Sequence, residues 1–143
     1  MSEIITDKLT GRATANDVTV TAGATATMSL EQGLTKTWIV FGDDANSTQV
    51  VDDSLNISSL TDNAGGDQTD NFTNNMATAK AYTIAGSMCT NSAVTNYQYI
   101  IQPREHDDIR TNLVRMLQIY GNNVGQGIAD YEYVSHAMHG DLA

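Results

Sequence analysis

From about residue 35 onward, the chain consists of short stretches in which apolar and polar residues alternate, separated by clusters of Gly, Asn, Asp and Ser. A period of two residues is typical of a half-buried β-strand, and the intervening clusters are typical of turns. We therefore predict strands near residues 36–41, 47–51, 55–60, 68–73, 81–88, 97–102, 112–120 and 130–138. Short strands at this spacing predict an all-β fold, an antiparallel β-sandwich.

The clearest single element is a hairpin between residues 53 and 76. Apolar positions mark both arms, and the segment Asp62–Asp67 between them is rich in Asn and Gly, which tolerate positive φ. The predicted core signature combines the hairpin residues with two residues of the preceding strand: Trp38, Phe41, Leu55, Ile57, Leu60 and Phe72.

These residues also carry a resemblance. A Trp-bearing strand, Lys36–Gly42, precedes a block at Asp53–Thr73 that reads DSLNISSLTDNAGGDQTDNFT. This arrangement resembles a module found in tail-fibre and other virion proteins of marine tailed bacteriophages. The resemblance is looser over the first residues and weakens beyond Met88, and Gln68 stands where the module usually has an aromatic or strand-favouring residue. It implies an all-β structural protein of a virion.

The segment Ile109–Tyr120 leaves two interpretations open. Five apolar residues recur at helical spacing after the acidic pair Asp107-Asp108, which suits a helix N-terminus and slightly favours a short helix. The alternative is a strand, although Arg115 interrupts its apolar face. The all-β resemblance leads us to predict the strand. The following segment, Gly121–Gly127, is predicted to be a flexible glycine loop.

Residues 1–34 differ in character from the rest of the chain. Small and β-branched residues dominate, and Val18 and Val20 alternate with threonines, which indicates a strand rather than a core. A flexible leader is one interpretation. We favour an extended N-terminal arm for docking and oligomerisation, followed by a β-sandwich domain over residues 35–143. The predicted interface residues of the arm are Ile4, Ile5, Leu9, Val18, Val20, Met28 and Leu30.

The amino-acid composition argues against some classes of function and favours others. The net charge is −10 and only seven residues are Lys or Arg, which argues against nucleic-acid binding. Hydrophobic residues make up 41%, below the usual 45–50%, so neighbouring subunits are expected to complete the burial. Cys89 is the single cysteine, which excludes an intrachain disulfide, and we expect it to be buried. No signal peptide and no membrane span is recognisable, so we expect synthesis in a host cytoplasm.

Candidate chemistry is sparse. His136 and His139 would share a metal on a helix but face opposite sides of a strand, with His106 far upstream. Asp62–Asp67 lacks the ligand pattern of a calcium loop and is better explained as a turn. No nucleophile elbow is present, so we predict no catalytic residue, no metal and no cofactor, and a non-enzymatic protein.

We therefore predict a structural protein of a tailed-phage virion, of the tail-fibre type. Such appendages are usually homotrimers docked on other virion proteins, without nucleic-acid or membrane partners. A capsid decoration or head-fibre protein is the first alternative. A host-glycan-binding adhesin is the second alternative. Its candidate receptor-facing loops contain Asn96, Tyr97, Asn122 and Asn123.

Overall fold

A computed structural model describes residues 19–22, 26–29, 33–43, 49–89, 98–122 and 125–143. The chain divides into two compact units, Met1–Leu34 and Thr35–Ala143. In the first unit, β1 (Thr19–Ala22) and β2 (Ala26–Ser29) form an antiparallel hairpin in which Val20 pairs with Met28. The other predicted arm residues, Ile4, Ile5, Leu9, Val18 and Leu30, lie outside the described residues, and the docking role of the arm stays a prediction.

The second unit is an antiparallel β-sandwich, as predicted. Its four-stranded sheet has the order β4-β3-β11-β7. These strands are β3 (Thr37–Asp43), β4 (Gln49–Leu55), β7 (Thr83–Cys89) and β11 (Tyr133–His139). The five-stranded sheet contains β5 (Ile57–Ala64), β6 (Asp67–Phe72), β8 (Gln98–Pro103), β9 (Leu113–Asn122) and β10 (Gly125–Ile128). β9 pairs with β8 along one edge and with β6 and then β10 along the other.

The open question over Ile109–Tyr120 is settled in favour of a strand. Val114, Met116 and Gln118 alternate as fully buried residues within β9. The spacing of the apolar residues had favoured a helix, because the inward positions of the strand are not all apolar. The polar residue Gln118 occupies one of them. A short 3-10 helix, His106–Asp108, follows β8 and uses the acidic residues that had indicated a helix start.

The predicted glycine loop over Gly121–Gly127 is wrong in part. β9 extends to Asn122, and β10 begins at Gly125 and pairs with it. A Cβ atom on Gly127 would lie 2.6 Å from ring atoms of Tyr120. The glycine therefore lets the Tyr120 ring lie across the neighbouring strand, which is a requirement of pairing rather than a sign of a loop.

The predicted hairpin is present as β5 and β6. They are joined at Gly65-Gly66, and Gly66 has a φ of +72°, which a residue with a side chain rarely adopts. The amide of Gly66 donates to Oδ1 of Asp130 at 2.6 Å, and that oxygen also accepts a bond from Gln49 Nε2 at 2.7 Å. The Asp130 carboxylate thus links the β5–β6 turn to its own segment before β11 and to Gln49 at the start of β4.

The core lies between the two sheets. Phe72, Met76, Tyr82, Val114, Met116 and Met138 form one buried cluster, and Ile39, Phe41, Met88 and Val134 form a second. Ile57 and Ile101 pack against both clusters, so the apolar interior is continuous. Leu60 packs partly buried against the second cluster.

Three expectations of burial do not hold. Leu55 is 46% exposed, and its cross-strand partner Trp38 belongs to neither core cluster. Trp38 adjoins the buried Ile39, so the pleat of β3 turns its side chain to the opposite face. Cys89 is exposed as well, because its neighbour Met88 takes the inward position at the end of β7.

Candidate functional site

The outer face of the four-stranded sheet is the most distinctive surface among the described residues. It consists of the side chains that alternate with the core positions of each strand. β3 and β4 contribute Trp38, Val40, Val50, Asp53 and Leu55, and β7 and β11 contribute Thr83, Ala85, Ser87, Cys89, Tyr133, Ser135, Ala137 and His139. This set is called the outer face below.

Charge is nearly absent from the outer face although the whole chain carries a net charge of −10. Asp53 is the acidic member of the set, and the set contains no lysine or arginine. Val50, Leu55 and Tyr133 are 45%, 46% and 43% exposed. Contiguous apolar surface with few charges is typical of interaction sites, in which Tyr and Trp are enriched.

A shallow depression of about 300 Å³ lies on the outer face. Trp38 and Tyr133 stand along its lining, and its floor is made of small residues that include Ala85, Ser135 and Ala137. The hydroxyls of Ser87 and Ser135 are 3.2 Å apart and satisfy each other. The surface therefore offers two large aromatic groups beside a low, uncharged floor.

The β5–β6 hairpin on the outer side of the five-stranded sheet has the opposite character, although the same side exposes Ile100 and Ile128 on β8 and β10. The Nδ2 amide of Asn71 donates to Ser59 Oγ at 3.1 Å and to Thr61 Oγ1 at 3.2 Å. Asn63 Nδ2 donates to Thr69 Oγ1 at 2.9 Å. Side chains that satisfy one another in this way have little need of a partner. The Ser, Thr and Asn residues of the hairpin thus form an internally bonded, water-facing surface.

An ion cluster ties β6 to β9 on that polar side. Arg115 donates to both carboxylate oxygens of Asp67 at 2.7 Å, and Arg104 Nε lies 3.8 Å from Asp67 Oδ2. The hydrogen bond from Arg115 holds the pKa of the Asp67 carboxyl below its usual value, against the opposing effect of burial. The geometry is a bidentate guanidinium–carboxylate pair, which positions strands rather than reactants.

A hydrogen-bonded histidine–aspartate pair lies in the core. His136 Nε2 of β11 and Asp70 Oδ2 of β6 are 2.5 Å apart, and neither side chain has exposed surface. The pair joins the two sheets between the two apolar clusters, since Val134 and Met138 flank His136 in β11. Burial, and secondly the charge of Asp70, raise the pKa of the Tyr82 hydroxyl. No solvent reaches the pair, so its geometry serves structure.

Gln68 and Gln118 form a further buried polar contact. Gln118 Nε2 donates to Gln68 Oε1 at 3.1 Å, and Gln118 Oε1 accepts the amide of Tyr131 at 3.1 Å. Both side chains are fully buried. Gln68, the position at which the chain departs from the module it resembles, is thus matched by a second glutamine on the adjacent strand.

The three histidines do not meet. His136 is buried in the core, His139 lies on the outer face, and His106 is exposed on the 3-10 helix. Within the described ranges, no group of three or more His, Cys, Asp or Glu residues could hold a metal ion. Asp67, at the end of the Asp62–Asp67 turn, is bound by Arg115 instead.

The predicted receptor loops are largely outside the described residues, since Asn96, Tyr97 and Asn123 fall there. Asn122 is the last residue of β9 and pairs with Gly125, so it belongs to a strand. The outer face was missed as a site at the sequence level, although the alternation of Tyr133, Ser135 and Ala137 with Val134, His136 and Met138 is visible there. The sequence did not show which set faces the core, because the inward set contains a polar residue, the buried His136.

Comparison with known proteins found no match to any family model, to any curated protein or to any solved structure. Over the residues that the structure describes, none of the helices is long and apolar enough to span a membrane.

Proposed function

We propose that this chain is a non-enzymatic structural component of a tailed-phage virion, a tail-fibre-type appendage protein held by its N-terminal arm. The observation that carries the proposal is the contrast between the outer face and the surface of the β5–β6 hairpin. The outer face is largely apolar, with exposed Val50, Leu55 and Tyr133, and Asp53 is its acidic member. The hairpin surface is polar and self-satisfied, since Asn71 and Asn63 bond neighbouring hydroxyls.

A sandwich with a largely apolar outer face suits a building block of an assembly. Each subunit presents the outer face to a neighbour and the hairpin surface to water, and the low charge density of the outer face lets acidic subunits approach. The resemblance of Lys36–Gly42 and Asp53–Thr73 to phage virion modules supplies the biological setting. The arm would join the subunits, as a homotrimer, to one another and to the particle.

Immunogold labelling tests the proposal. Antibodies against the recombinant chain, applied to purified particles of the phage that encodes it, are expected to label the tail region. Quantitative mass spectrometry of the same particles should give tens of copies. Label over the capsid with hundreds of copies would favour a decoration or head-fibre protein instead. Absence of the chain from purified particles would refute a virion role altogether.

A further inference from the structure

We propose that the outer face of the four-stranded sheet binds a second copy of the chain, across a two-fold axis that runs parallel to the strands between β3 and β11. The contact goes beyond the arm-mediated assembly and is independent of it. A two-fold interface is isologous, so each residue must be complementary to the residue that the symmetry places opposite it. The strand register shows which residues those are.

The register places large side chains opposite small ones. Trp38 pairs across the sheet with Ala137, so the axis sets Trp38 above the partner's Ala137 and the depression beside it. At the other end, β11 continues past the Val134–Phe41 pair, which places Tyr133 level with Gly42, whose outer side is covered by the carbonyl oxygen of Glu132 in the same chain. Leu55 lies level with Trp38, Ala137 and Ala85, and therefore meets the partner's Ala85.

Charge supports the same axis. Asp53 lies level with Val40, Ser135 and Ser87, so the axis places Asp53 opposite the partner's Ser87. An axis perpendicular to the strands at the level of Asp53 would instead bring Asp53 against the partner's Asp53, a repulsive contact. No lysine or arginine of the outer face has to be desolvated in the proposed arrangement.

The area that the two copies would bury bears on how tightly they associate. Four strands of seven residues span about 19 Å by 24 Å at the usual strand spacing and rise, a footprint of roughly 450 Å² on each copy. The total of roughly 900 Å² lies below the size of stable specific interfaces, which start at about 1,200 Å², and within the range of weak, transient ones. We therefore expect a dissociation constant in the micromolar range and an association that depends on concentration.

The first test measures the mass of the full-length chain by analytical ultracentrifugation at a concentration on the order of 100 µM. The variant Ala137→Arg places a long cation on the floor of the depression and should prevent the two-fold contact. Because that contact joins two copies of whatever assembly the arm forms, its loss should halve the mass of the particle in solution. Gln98→Arg, an exposed position on β8, is the control and should leave the mass unchanged. A wild-type assembly with an odd number of chains would overturn the pairing and leave the proposed virion role standing.

The second test uses a short thiol-to-thiol cross-linker of about 10 Å, the distance between packed sheets. Val50 lies level with Cys89 in the register, and the axis sets it opposite the partner's Cys89. Val50→Cys should therefore give covalent dimers with the native Cys89. Leu55→Cys is the matched control, since Leu55 is as exposed as Val50 but lies about 17 Å from the partner's Cys89.

Dimers from Val50→Cys and none from Leu55→Cys would support the proposed axis even if Ala137→Arg failed to fold. Equal yields from the two variants, or no dimer from either, would overturn it.

Discussion

At the scale of single residues, the link between β4 and β5 depends on Asn56. Its φ of +61° lies in the left-handed region, and its side chain makes three hydrogen bonds with Asn74. Oδ1 of Asn56 accepts the backbone amide of Asn74 at 2.7 Å and its Nδ2 group at 3.0 Å, and Nδ2 of Asn56 donates to the carbonyl oxygen of Asn74 at 3.0 Å. Asn56→Ala loses all three bonds and adds backbone strain, so we expect it to lower the free energy of unfolding by about 1–3 kcal/mol. Urea denaturation measures the change.

The glycine variant separates the two causes. Asn56→Gly loses the same hydrogen bonds but adopts positive φ without strain, so we expect it to be more stable than Asn56→Ala by about 1 kcal/mol. Equal stabilities would mean that backbone strain contributes nothing at this position. A glycine variant as stable as the native chain would mean that the bonds to Asn74 contribute nothing.

At the scale of elements, β7 and β11 approach each other closely at Gly86. A Cβ atom there would lie 2.6 Å from the Cβ of His136 and 2.8 Å from the Cγ2 of Ile101, which crosses from the other sheet. We expect Gly86→Ala to lower the free energy of unfolding by about 1–3 kcal/mol, the usual effect of overpacking. Gly125→Ala, which has nothing within 4 Å of its added Cβ, should change stability little. Comparable thermal unfolding midpoints for the two variants would contradict this packing.

The pairing of β6 with β9 should depend on pH through Asp67. Because the Arg115 hydrogen bond holds the pKa of Asp67 below its ordinary value, ionised Asp67 stabilises the fold at neutral pH. That contribution is complete above the unfolded pKa and is lost as the pH falls through the lower, folded pKa. At pH 7 we expect Asp67→Asn to lower the free energy of unfolding by about 1–2 kcal/mol, and the difference from the native chain should shrink below pH 4. Urea denaturation between pH 2 and 7 would reveal it.

Asp107 provides the control for this pH dependence. Its contact with Lys80 Nζ is 2.6 Å long, but the Asp107 side chain is 84% exposed, so solvent screens the pair. We expect Asp107→Asn to have a smaller effect than Asp67→Asn, and one that disappears at high salt. If Asp67→Asn showed the same loss at pH 3 as at pH 7, ionisation of Asp67 would not be the cause.

At the scale of the whole molecule, the sequence predicted the class of fold and most strands, because local alternation and turn residues carry that information. The turn predicted at Asp62–Asp67 is an example: the structure has it at Gly65-Gly66, with β5 extending to Ala64 and β6 beginning at Asp67. Local pattern could not tell which side of a strand faces the core when polar residues lie inside. Trp38 was placed inward and proved to face outward, while His136, Asp70 and Gln68 are buried. These residues meet partners on distant strands, which the spacing along the chain does not reveal.

The link between the two sheets through Asp70 and His136 yields a prediction about the whole sandwich. The contact joins Asp70 Oδ2 and His136 Nε2. The other two polar atoms of the pair, Asp70 Oδ1 and His136 Nδ1, have no hydrogen-bond partner among the described residues. Removing one member leaves the other buried and unpaired, so Asp70→Val or His136→Leu should each lower the free energy of unfolding by about 3–5 kcal/mol. The double variant replaces the pair by apolar groups among Val114, Met138 and the neighbouring core, and it should be more stable than either single variant. Urea denaturation of all four chains gives the coupling energy. If the two single losses simply add in the double variant, the pair is not a coupled link between the sheets.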